Sequence, residues 1–135
     1  MMNRLAAMLV VLLAALPGCG GDVTLRALPA QLPGSYYSGD GLGRNVTVVL
    51  AADGRFSSDW QGCLGLYGQA HGTWQLDGER LLFNPLDEDD ALAGYLREAT
   101  TVRHEGRFGF ARDADVRGGR IDERLLFLRE KEPLP

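Results

Sequence analysis

The sequence predicts a mainly β fold, a small antiparallel meander forming a barrel or half-barrel with one or two short helices. Three observations carry that prediction. Apolar residues alternate at period two in "RNVTVVLA" (44–51) and "RFSSDW" (55–60), the repeat of a strand with one face in a core. Asp-Gly pairs at 53–54 and 77–78 punctuate such runs, and they are hairpin turn signals because both turn positions tolerate positive φ. The runs themselves are rich in valine, threonine and aromatic residues, which suit a pleated, half-buried surface.

The elements follow in order. "SYYS" (35–38) is a short aromatic strand, and "GDGLG" (39–43) is a turn-rich break. In 44–51, Val46, Val48 and Leu50 share one face; in 55–60, Phe56, Ser58 and Trp60 do. A glycine-rich connection leads to "HGTWQL" (71–76), which places Trp74 and Leu76 together, and "RLLFN" (80–84) follows the second Asp-Gly turn. Pro85 to Arg97 changes character: Asp87–Asp90 is acidic, and Leu92, Tyr95 and Leu96 stand at helical spacing. Carboxylates favour a helix N-terminus, so a short helix is expected there. "TTVRHE" (100–105) and "RFGFA" (107–111) flank Gly106 as a further hairpin with Phe108 and Phe110 facing inward. The last stretch, "RIDERLLFLREKE" (120–132), fits a helix through Ile121, Leu125 and Leu128, or a buried strand through "LLFL"; the helix is the expectation.

The amino-terminal end is of another kind. Arg4 precedes twelve residues, Leu5 to Leu16, without a charge or polar group. A spanning helix needs about 20 apolar residues, so this length suits a signal-peptide core. Pro17-Gly18 breaks the run immediately before Cys19. The stretch Leu16-Pro17-Gly18-Cys19 resembles the lipobox of bacterial lipoproteins, with Pro17 standing where Ala, Ser or Thr is usual. The resemblance implies a diacylglyceryl thioether on Cys19, cleavage before it, and N-acylation of the new terminus. Gly20 rather than Asp after the cysteine implies the periplasmic face of the outer membrane. The expected organisation is a signal peptide at 1–18, a lipidated cysteine and flexible tether at 19–33, and a β-rich domain at 34–135. Two or three acyl chains make a stable anchor, where one alone is marginal.

Removing the signal takes Arg4 and all three methionines, Met1, Met2 and Met8, so a methionine-rich copper site is excluded. The mature chain keeps 13 of the 14 Lys/Arg against 18 Asp/Glu, a formal −5, and Lys131 is its one lysine. That acidic balance without a basic cluster argues against nucleic acid as a partner. Cys63 is left as the one thiol. The bland expectation is that it is buried and inert; the sharper ones are an intermolecular disulfide or a reactive thiol.

Residues 59–74 hold the densest chemistry, and the candidate binding residues are Trp60, Cys63, Tyr67, His71 and Trp74. Trp60 and Trp74 are expected to end neighbouring strands and close one end of the barrel, above tight turns at glycines 62, 65 and 68. A catalytic pair of Cys63 and His71 would need the imidazole within hydrogen-bond reach of the thiol, which nothing in the spacing requires. Cys63, His71, His104 and a carboxylate are the right ligand types for zinc or copper, but no CxxC, HxH or HExxH holds two of them together. "DEDD" (87–90) lacks the alternation and glycine of an EF-hand loop. No cofactor, metal or enzyme signature is read.

The stretch from "VTVVLAADGRF" through "HGTWQLDGERLLFNP", with its order of strand, DG turn, aromatic strand, Gly-x-Trp strand, DG turn and strand, resembles small lipocalin-like domains of bacterial envelope lipoproteins over residues 34–116. The NlpE-type copper-responsive lipoproteins share the plan, but their CxxC is absent here. The resulting expectation is a non-enzymatic, monomeric envelope lipoprotein that binds an envelope protein or a small apolar molecule in the barrel mouth. A structural or assembly role comes second, and a hydrolase of envelope polymers third.

Overall fold

A computed structural model describes residues 29–131. The signal peptide and Cys19 lie outside the described residues, as does the tether before Pro29. The chain forms a closed barrel of eight antiparallel strands, each paired with its sequence neighbours. The strands are β1 (Gly34–Gly39), β2 (Asn45–Leu50), β3 (Arg55–Gly62), β4 (Gly65–Asp77), β5 (Arg80–Glu88), β6 (Glu98–His104), β7 (Arg107–Arg112) and β8 (Phe127–Arg129). The barrel closes where β8 pairs with β1, Tyr36 opposite Arg129 and Tyr37 opposite Leu128. The expected class is observed, in its closed form.

The period-two pattern sets which face turns inward. Tyr36 and Ser38, Val46, Val48 and Leu50, Phe56 and Ser58, Ala70 and Trp74, Leu81 and Phe83, Ala99 and Thr101, Phe110, and Phe127 are all buried. Aromatic rings fill the interior: Phe110 stacks on Phe127 with centroids 4.7 Å apart, and Phe56 meets Phe83 edge-on at 5.1 Å. Each large apolar side chain so buried contributes about 1.5–3 kcal/mol. An eight-stranded barrel is just wide enough for side chains to fill it, and here they do.

The connections differ from expectation in four places. The glycine-rich stretch before His71 is strand, not loop: β4 is unbroken over thirteen residues. Its glycines admit close crossings, since a Cβ at Gly72 would stand 2.2 Å from the Asn84 carbonyl oxygen, beside the bulge at His71/Gly72. The helix expected over 85–97 is absent. β5 continues to Glu88 because Asp87 and Glu88 still pair with His71 and Ala70, and only a 3₁₀ turn at Asp90–Leu92 follows. Asp90 has φ 46° and Gly94 φ 74°, so the backbone reverses twice while still burying Leu92 and Leu96. The helix expected over 120–132 is a 3₁₀ turn at Glu123–Leu125 followed by β8. Ring closure needs a strand between β7 and β1, and that pairing outweighs local helical spacing. Finally, the domain begins before Gly34. Leu32 is fully buried, its carbonyl accepts a 2.6 Å hydrogen bond from the Tyr36 hydroxyl, and a 3₁₀ turn at Pro29–Gln31 precedes it.

Candidate functional site

The two ends of the barrel are built differently. At the end holding the β1–β2, β3–β4, β5–β6 and β7–β8 connections, Trp60 meets Tyr95 edge-on at 5.4 Å. The Arg44 guanidinium sits 5.8 Å from the Trp60 ring and 5.9 Å from Phe127. It donates to the Tyr95 hydroxyl at 2.6 Å, the Ser38 hydroxyl at 2.9 Å and the Arg124 carbonyl at 3.2 Å. Arg112 lies over the Tyr95 ring at 3.5 Å, donates to the Tyr95 carbonyl, and is held by Asp115 through two bonds of 2.8 and 2.6 Å. These side chains stop the mouth.

The opposite end receives the amino-terminal segment. Arg129, inward-facing on β8, donates to the carbonyls of Gln31 and Pro33 and to the Tyr36 hydroxyl, binding that segment to the barrel. Its Nε is buried without a hydrogen-bond partner among the described residues. Burial raises the Tyr36 phenol above its ordinary pKa, and the neighbouring guanidinium opposes the shift. Trp74 closes this same end, its indole donating to the Ala51 carbonyl at 3.0 Å.

Trp60 and Trp74 therefore lie at opposite ends, which corrects the expected shared cluster; β4 is too long for them to meet. The remaining candidates separate as well. His71 is on the outer wall, 3.9 Å from the Asp87 carboxylate, both exposed. Six residues of strand separate it from Gly65 beside Cys63, roughly 20 Å, so thiol and imidazole do not pair. Among the described residues no cluster of three His, Cys, Asp or Glu is arranged to hold a metal.

Cys63 is exposed and free, contrary to the buried expectation. It occupies the two-residue tip of the β3–β4 hairpin, which projects past the barrel wall, and its thiol lies 3.0 Å from the Leu42 carbonyl. The β1–β2 loop beside it is fixed by Asp40, whose carboxylate accepts from the backbone N–H of Leu42 and Arg44; those bonds lower its pKa. Tyr67 lies against Gly62, where a Cβ would fall 1.7 Å from its ring. Exposed apolar side chains on the β1–β2 loop and on this hairpin are Leu42, 77% exposed, Leu64, 92%, Leu66, 49%, and Tyr67, 38%. Of the five candidates, Cys63 and Tyr67 share this hairpin, Cys63 at its tip and Tyr67 on β4 against Gly62. Sequence reading passed over Leu42 and Leu64 because single leucines in turns carry no period. It passed over Arg44, Tyr95 and Arg112 because they meet only when the barrel closes.

Grooves lie on the outer surface. One of about 360 Å³ runs between Thr47, Ser57, Asp59, Gln69, His71 and Asp87. Another of about 490 Å³ opens where β5 and β6 part, over Leu82, Phe83, Tyr95 and Arg112. A scan against family models, a search of curated proteins and a search of solved structures each found no match.

Proposed function

We propose that this chain is a lipid-anchored protein of the bacterial cell envelope that works without catalysis, by binding a protein partner. The observation that carries the reading is the filled interior: Tyr36, Phe56, Phe83, Phe110 and Phe127 occupy the space an apolar ligand would need, while apolar side chains stand exposed on a fixed hairpin tip. An exposed, rigid apolar patch beside a packed core suits a protein surface better than a small molecule. The anchor rests on the lipobox resemblance at Leu16–Cys19. The amino-terminal segment enters at the barrel end opposite the tip, so an anchor there presents the tip outward.

Two measurements test this. Cys19→Ala should abolish metabolic palmitate labelling and leave the precursor uncleaved; a labelled, mature-size mutant overturns the anchor. A fluorescent naphthylamine probe should show no saturable binding to the folded protein. Saturable, blue-shifted binding would return the small apolar ligand to first place.

A further inference from the structure

We propose that His104 is a pH-sensitive clamp: with a proton on its imidazole it bridges Glu105 and Glu123, fastening the connection between β7 and β8 to the barrel wall. This device acts apart from the binding surface and needs no lipid anchor.

The chain has two histidines, and the fold treats them differently. His71 stands in water on the outer wall, its side chain 62% exposed beside the Asp87 carboxylate. His104 ends β6 with its side chain only 14% exposed. Its Nε2 lies 3.8 Å from the Glu105 carboxylate and 3.8 Å from that of Glu123. Glu105 belongs to the turn that joins β6 to β7. Glu123 opens the 3₁₀ turn at Glu123–Leu125, which leads straight into β8. One imidazole therefore stands where a hairpin meets the approach to the closing strand. That strand pairs through only two residues on each side, so the hold on the residues before it bears on its seating. Other ties of the connection run from the Ser38 hydroxyl and the Arg44 guanidinium to the Arg124 carbonyl. Those donors do not change charge near neutral pH; an imidazole does.

The surrounding charges set the sign. Two carboxylates within about 4 Å favour the imidazolium over the neutral ring. Arg107, opposite His104 on β7, works against it, but its Nε and Nη2 are given to the Arg129 carbonyl. Arg124, the cation next to Glu123, is held by Asp122 through two side-chain bonds. Two anions against one committed cation leave the charged ring favoured. The folded chain then holds the proton more tightly than the unfolded one. The clamp's contribution is full below the ordinary histidine value of about 6.5 and fades as pH rises through and above it. The carboxylates are 80% and 78% exposed, so water screens both pairs and the effect is a small factor.

The test is urea unfolding of the full chain at about pH 5.5 and about pH 8.5, for the parent, His104→Gln, Glu123→Gln and His71→Gln. The folding constant of the parent relative to His104→Gln should be about threefold to tenfold larger at the acid pH than at the alkaline one. Glu123→Gln, on a side chain that faces water, should lose about half of that gain on a logarithmic scale. His71→Gln should keep it whole. An NMR titration reads the same event locally. The amides of Glu123–Leu125 should shift with the same midpoint as the His104 ring, and should stop doing so in His104→Gln. No gain at acid pH, a gain at alkaline pH instead, or a gain that survives Glu123→Gln in full overturns the clamp. Amides of Glu123–Leu125 that ignore the His104 titration overturn it as well. Should His104→Gln fail to fold, Glu123→Gln and the titration of the parent decide the matter.

Discussion

Asp115 and Arg112 form an ion pair with both side chains nearly out of water, 13% and 11% exposed for the arginine and the aspartate respectively. Removing one partner strands the other charge. Asp115→Asn should therefore cost about 3–5 kcal/mol, while replacing both by apolar residues of similar size should recover most of that loss in denaturant melts. Trp74 is buried and its indole bonded, so Trp74→Ala should cost about 3–5 kcal/mol and lower the melting temperature by more than about 10 °C. Trp60, half-buried under Arg44, should cost less; equal losses would mean the mouth is packed as tightly as the base. Asp122 shows what pH does. Arg124 binds its carboxylate by side chain and backbone, lowering its pKa to about 2. A lowered native pKa means the bond helps the fold above the ordinary carboxylate range and is lost as pH falls toward 2. A carboxyl NMR titration should place the Asp122 midpoint near that value, and in Arg124→Gln it should rise.

At the scale of elements, legibility followed local cause. β2, β3 and the β6–β7 hairpin were readable because alternation and a turn signal both lie within a dozen residues. Glu105 and Gly106, at φ 50° and 76°, make the turn read at Gly106. The last turn of β5 was not readable, because Asp87 and Glu88 are strand only through Ala70 and His71 on β4. β8 was not readable either: a three-residue strand is decided by its neighbours on both sides, not by its own pattern. Of the candidate site, Cys63 and Tyr67 were legible as members of one glycine-rich connection, but not as a hairpin whose second strand starts at Gly65. Their exposure was not, since nothing in "GCLGLYG" tells a projecting tip from a buried connection. The amino-terminal segment gives a direct check at this scale. Starting the chain at Gly34 instead of Pro29 removes Leu32 from the core and the acceptor of the Tyr36 hydroxyl. That should cost about 3–5 kcal/mol in chemical denaturation, whereas a true tether would cost nothing.

The whole molecule is a ring of eight strands whose links are unequal. Seven are formed between neighbours in sequence; the eighth joins Tyr36 to Arg129 across nearly the entire domain. β8 is held by only two residue pairs on each side, to β7 and to β1. Closing so long a loop carries an entropic cost that a hairpin does not, and the reward for it is deferred until Tyr36 meets Arg129 across the seam and packs its ring against Phe110. The order of assembly follows: the hairpins from β2 to β7 zip first, and the seam at β8 forms last. The same seam is then the first to part in the native protein, as a small opening on the slow timescale of local unfolding. Amide hydrogens of β8 and of the β1 edge facing it should exchange with solvent at a lower opening energy than those between β3 and β4. Uniform protection around the ring would mean the barrel opens only by unfolding whole.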